Sequence, residues 1–146
     1  MPGVLPLDEV ISTIAKEYQL DDYDIELYNM ARMSMIAGLF FANCDGNYTK
    51  RERDCIEAFE DMLHDYIDGS DGDARNYIFD NLERPYTIGE VIGLTHRLVD
   101  SMKYDDDKRQ AKESVDYIIS HVVEADVRED NRTEAYYAQW RREFGL

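Results

Sequence analysis

With 146 residues, 44% of them hydrophobic and 33% charged, the chain can bury a core of its own, so neither a disordered chain nor a staple-dependent miniprotein is expected. Sixteen basic residues against thirty-two acidic ones give a formal net charge of −16. That balance argues against direct binding to nucleic acid or to an anionic lipid surface, and points to cationic partners, either metal ions or basic protein surfaces.

The first ten residues, MPGVLPLDEV, lack a basic segment followed by an apolar one, so no secretory signal is expected. From Leu7 to Gln19, Val10, Ile11, Ile14, Ala15 and Tyr18 fall on one helical stripe, with Asp8 and Glu9 where negative charge suits the helix dipole. Asp21-Asp22 breaks that pattern and caps a second helix, about Tyr23 to Asn43. Its second half, from Met30 to Ala42, is apolar on nearly all sides, which predicts a central, buried helix. Gly38 beside Ala37 and Ala42 would admit a close neighbour. This run carries Arg32 and Ser34 and is too short to span a membrane, so a soluble, cytoplasmic protein is expected.

Asp45-Gly46-Asn47 reads as a sharp turn. Thr49 and Glu52 form a capping box opening a third helix, with Cys55, Ile56, Phe59, Met62, Leu63 and Tyr66 on its inner stripe. Cys44 and Cys55 lack CxxC spacing and a histidine cluster, and read as buried thiols of a reducing compartment. After the acidic loop Asp68–Asp73, a short fourth helix is predicted over Ala74 to Leu82, with Tyr77, Ile78 and Leu82 inward. A second capping box, Thr87 and Glu90, opens a fifth helix that is expected to bury Ile88, Val91, Ile92, Thr95, Leu98, Val99 and Met102. Tyr104 to Asp107 reads as an acidic break before a sixth helix, Asp107 to Glu124, with Ala111, Val115, Ile118, Ile119 and Val122 on one face. Asp126 to Asp130 is a turn, Asn131 and Glu134 a third capping box, and the last helix carries Tyr136, Tyr137, Trp140 and Phe144 before Gly145 as its terminal glycine. No period-two alternation is sustained. The expectation is an all-α, compact single-domain bundle of about seven helices.

Two hairpins share a plan: an apolar helix, an acidic turn, then an aromatic-rich helix. The first carries Ala42, Asp45, Gly46 and Glu52, and the second Ala125, Asp126 and Glu134 before the ending Phe144-Gly145-Leu146. Over about residues 25–146 this pattern resembles the TerB-like (tellurite-resistance protein B) helical family. Val127 stands where that family's second glycine is expected, and the turn is one residue longer, which argues against identical geometry at the two turns. The resemblance implies a non-enzymatic cytoplasmic protein, linked to metal and stress responses and acting as a sensing or interaction module.

Asp45, Asn47 and Glu52 can offer oxygens to a hard cation such as calcium or magnesium, and Asp126 and Glu134, with Glu129 and Asp130 nearby, can offer a second set. Neither is an EF-hand, since Lys50 stands where the loop glycine belongs, and each of these residues also has an ordinary turn or capping role. His64, His96 and His121 are scattered, and no nucleophile triad or phosphate loop is present, so no enzyme is expected. Tyr136, Tyr137 and Trp140 cannot all face one way on a helix, which makes them candidates for a protein-binding surface. A protein partner is expected, with oligomeric state open. The rival reading is an acidic decoy that mimics a phosphate backbone and occupies a basic nucleic-acid-binding partner. The two readings differ in whether the acids converge or form rows.

Overall fold

The computed structural model describes residues 4–46, 48–66, 77–79, 82, 84–125 and 131–146. Six helices occupy these residues, with no strand among them: α1 Glu9–Glu17, α2 Asp22–Asn43, α3 Lys50–Tyr66, α4 Ile88–Asp100, α5 Asp105–Ala125 and α6 Asn131–Phe144. The helix expected over 74–82 lies mostly outside the described residues; Ile78 and Leu82 are buried as its pattern predicted, whereas Tyr77, also expected inward, is 47% exposed.

Local chemistry sets most of the boundaries. Asp8 and Asp21 cap α1 and α2, each accepting a backbone N–H three residues on. Both expected capping boxes form at α3 and α4: Thr49 and Thr87 accept from the Glu52 and Glu90 amides, and each glutamate accepts the threonine N–H in return. At the other end of the chain, Gly145 has a positive φ of +70°, and the Leu146 N–H reaches back to the Arg141 carbonyl at 2.9 Å. That is a Schellman closure, and a side chain at Gly145 would strain it.

Two expected starts are corrected. Asp105–Asp107 is no break but the first turn of α5, where three carboxylates face the positive end of the dipole. Asn131 already belongs to α6 and does not precede it, and Thr133 is buried.

The hub is α2, which packs against all five other helices. Its residues from Ala31 to Ala42 are buried except Leu39, as expected for a helix apolar all round. At Gly38 an added Cβ would lie 3.0 Å from Ile56 on α3 and 3.3 Å from Ile118 on α5, so the missing side chain lets three helices converge. Each large apolar side chain buried there contributes on the order of 1.5–3 kcal/mol.

The first half of α2 holds a polar clamp inside this core. Buried Asn29 accepts the Leu7 N–H at 2.7 Å and donates to the Leu5 carbonyl at 2.9 Å, binding the leading segment as a backbone partner would. One turn on, buried Arg32 pairs with the Asp8 carboxylate and donates to the Ile78 carbonyl at 2.6 Å. A buried cation is tolerated only with such partners.

Candidate functional site

The Asp45 turn is built as the sequence suggests and then closed off. Gly46 adopts φ +79°, and its N–H bonds the Asn43 carbonyl at 2.9 Å. Asp45 is buried, and Glu52 is buried completely, with its Oε1 accepting the Thr49 N–H at 3.0 Å. The start of α6 covers this turn: Arg132 Nη2 donates to the Asp45 carbonyl at 3.0 Å, and the Thr133 hydroxyl lies 3.5 Å from Cys44 Sγ. The two hairpins therefore meet at one end of the bundle. Asn47 and Asp126, with Glu129 and Asp130, lie outside the described residues, and Glu134 is exposed. Among the described residues no group of three or more His, Cys, Asp or Glu side chains is gathered to hold a metal ion. Asp45, Glu52 and Glu134 therefore do not fit a cation site by themselves: one Glu52 oxygen is committed to the cap, and hard cations take six or more oxygens. Cys44 and Cys55 form no disulfide and are half-buried, not fully buried as expected, and burial raises the Cys55 thiol pKa with help from Glu52.

The expected aromatic surface on α6 is also revised. Trp140 is 0% exposed and belongs to the core, its indole N–H directed at the Thr95 hydroxyl at 3.5 Å. Tyr136 and Tyr137 are half-buried against Phe40 and Phe41, with ring centroids 5.5 and 6.1 Å apart. The Tyr137 hydroxyl donates to Asp116 at 2.9 Å. Burial, together with that carboxylate, pushes the Tyr137 pKa up to about 12 against the lowering effect of Arg141.

The exposed apolar side chains lie elsewhere. Between α2, α3 and α5 runs a groove of about 820 Å³. Ala31, Ser34, Leu63 and Ile118 form its buried floor, and Leu27, Met30, Met62 and Tyr117 its walls. Met62 was expected to face the core, but it is 47% exposed, because it sits at the flank of the stripe that Ile56, Phe59 and Leu63 bury. Tyr117 is 53% exposed yet held in place: its ring meets His121 at 4.2 Å and Phe59 at 6.2 Å. His121 is itself fixed by donating from Nδ1 to the Tyr117 carbonyl at 2.8 Å.

Carboxylates border this apolar floor. Glu26, Asp107 and Glu113 line the groove, while its described lining contains no Lys, Arg or His. The Glu26 pKa is raised, first by partial burial and then by repulsion from Asp107 and Asp22. A second cleft, of about 770 Å³ between α2, α3 and the segment before α4, differs in having Arg53 and Arg84 beside Glu57 and Glu60. The helical stripes gave no signal for the groove, since Met62 falls on the inner stripe of α3 by spacing and Tyr117 stands beside that of α5. Their convergence required the packing of α3 on α5.

No known protein family, no curated protein and no solved structure matches this chain. No helix among the described residues is long and apolar enough to cross a membrane.

Proposed function

We propose that this chain is a non-enzymatic helical interaction module of the TerB-like type, acting in the cytoplasm and binding a protein partner through the groove between α2, α3 and α5. The supporting observation is the groove itself: exposed Met62, Tyr117 and Tyr23 stand around a buried apolar floor, in a bundle whose other large side chains are mostly inside. A soluble chain that leaves aromatic and methionine side chains converging on one concavity gains nothing for its own fold, whereas a partner surface would bury them. The motif residues Ala42, Asp45, Gly46 and Glu52, with the Phe144-Gly145-Leu146 ending, support the TerB-like type. A role in metal or stress response rests on that resemblance alone. The decoy reading is less well supported, because a phosphate mimic needs a ridge of carboxylates and these acids surround an apolar floor.

The test is site-specific photocrosslinking in the native host, with the crosslinker placed at 62, 117 or 104. Tyr104 is exposed but does not line the groove. The same discrete adduct is expected from 62 and 117 and not from 104. Adducts absent from both groove positions, or equal at all three, would overturn the proposal.

A further inference from the structure

The occupant of the groove can be read from its dimensions, its walls and its rim. On α2 the lining runs from Tyr23 to Ser34, and on α5 from Asp107 to Ile118. Each stretch extends about 16 Å at 1.5 Å per residue, the length of about three helical turns. Its walls are helices apart from Met102 in the link between α4 and α5, so no strand edge offers its backbone to an extended peptide; an occupant must satisfy its own N–H and C=O groups, as a helix does. Met30, Met62 and Met102 supply flexible, polarisable apolar contact, and Tyr117 supplies a fixed aromatic one.

Charge narrows the choice further. Among the described residues no salt bridge engages Glu26, Asp107 or Glu113. Lys108, Arg109 and Lys112 on the same helix do not line the groove. The rim is thus a like-charge arc around an apolar floor, and Asp22 and Asp105, both exposed at the starts of α2 and α5, extend it, while Asp106 pairs with Arg109. An acidic or neutral occupant would leave those carboxylates repelling one another with less water to screen them. A basic one would bring countercharge.

We infer that the groove receives a basic amphipathic helix from a protein partner, its apolar face on Met30, Met62 and Tyr117 and its Lys or Arg side chains against Glu26, Asp107 and Glu113. This rests on the interaction-module reading and names the partner chemistry for the same groove. A second copy of this acidic chain would set acid against acid there, and an anionic membrane would be repelled by the rim.

The test uses the full chain and a fluorescein-labelled amphipathic peptide of Leu and Lys, about 14 residues long and so about four turns. An equal peptide of Leu and Glu and an uncharged one of Leu and Gln serve as comparisons, with anisotropy as readout. Binding of the Leu/Lys peptide alone is expected, weakening with salt. Glu26→Lys with Glu113→Lys should weaken it at least about tenfold, with an unfolding midpoint no lower than the parent's. Glu17→Lys with Glu134→Lys, the same change in net charge away from the groove, should weaken it less than about twofold. Equal loss in both double variants would overturn the inference, since net charge alone would then explain binding. Binding of the Leu/Gln peptide as tightly as Leu/Lys, abolished by Met62→Glu, would overturn the basic-helix inference and leave the interaction-module reading standing. Sedimentation showing a dimer that dissociates on Met62→Glu, with no peptide bound, would also overturn it, in favour of a second copy as occupant. If none of the three peptides binds and the photocrosslinks also fail, both readings fall.

Discussion

The Asp45 turn and the methionine-lined groove are both built on α2 and α3, yet they use acidic residues in opposite ways. At the turn the carboxylates point inward: Glu52 is fully buried in a capping box, and Asp45 lies under Arg132 and Thr133 of α6. At the groove they stand outside, around a floor of Ala31, Leu63 and Ile118. An inward carboxylate is held by donors that a fold must supply, so its removal should be read in stability. An outward one near other acids is mildly unfavourable to the fold, so its removal should be read in binding.

The largest effect should separate core aromatics from groove aromatics. Trp140→Ala should cost about 4 kcal/mol in denaturant unfolding, whereas Tyr117→Ala should cost less than about 1 kcal/mol. Similar losses would mean that Tyr117 is a core residue and the groove a packing defect. Next, Glu52→Ala should cost about 2 kcal/mol, because it removes half of a cap and leaves the Thr49 N–H without its acceptor. Glu113→Ala should stay within about 0.5 kcal/mol of the parent.

A smaller effect tests the rim through pH. The raised Glu26 pKa means that the folded chain holds this proton more tightly than the unfolded chain does. Folding therefore carries a penalty at pH 7, where the group is ionised in both states. The penalty shrinks as pH falls through the raised value, and it is gone below the ordinary value of 4.5. Glu26→Gln should thus raise the melting temperature at pH 7, with the gain disappearing near pH 4. A gain of equal size at both values would assign the effect to packing instead of charge. The smallest effect concerns the turn. Millimolar calcium or magnesium should shift the melting temperature by less than about 1 °C, since Glu52 is committed to its cap. A shift of several degrees that Asp45→Asn removes would make the turn a cation site completed outside the described residues.

How much of this was legible beforehand differs between the two regions. The turn could be read because its determinants are local. Thr49 and Glu52 are three residues apart, and Gly46 allows the positive φ that the turn adopts. The same locality made the inner stripe of α5 legible, where Ala111, Val115, Ile118, Ile119 and Val122 are all buried as expected. The groove is not legible, and the spacing of Tyr136, Tyr137 and Trp140 points instead to an aromatic surface on α6, where Trp140 proves to be core. A helical stripe says which face is inward. It does not say how far the inward face extends, because that depends on how closely the neighbouring helix approaches.

By itself, then, the sequence determined the all-helical class, the caps, the centrality of α2 and the acidity of the surface. Each of these follows from contacts within a few residues or from composition. Only the tertiary structure decided that Glu52 is interior and Glu26 is rim, that Arg32 pairs with Asp8 twenty-four residues away, and that Met30, Met62 and Tyr117 from three helices share one concavity. The physical reason is that burial is a property of neighbours distant in the chain. At Gly38, where α3 and α5 close onto α2, those neighbours approach closely and fill the interior; toward the start of α5 the same three helices leave an open groove bordered by acids.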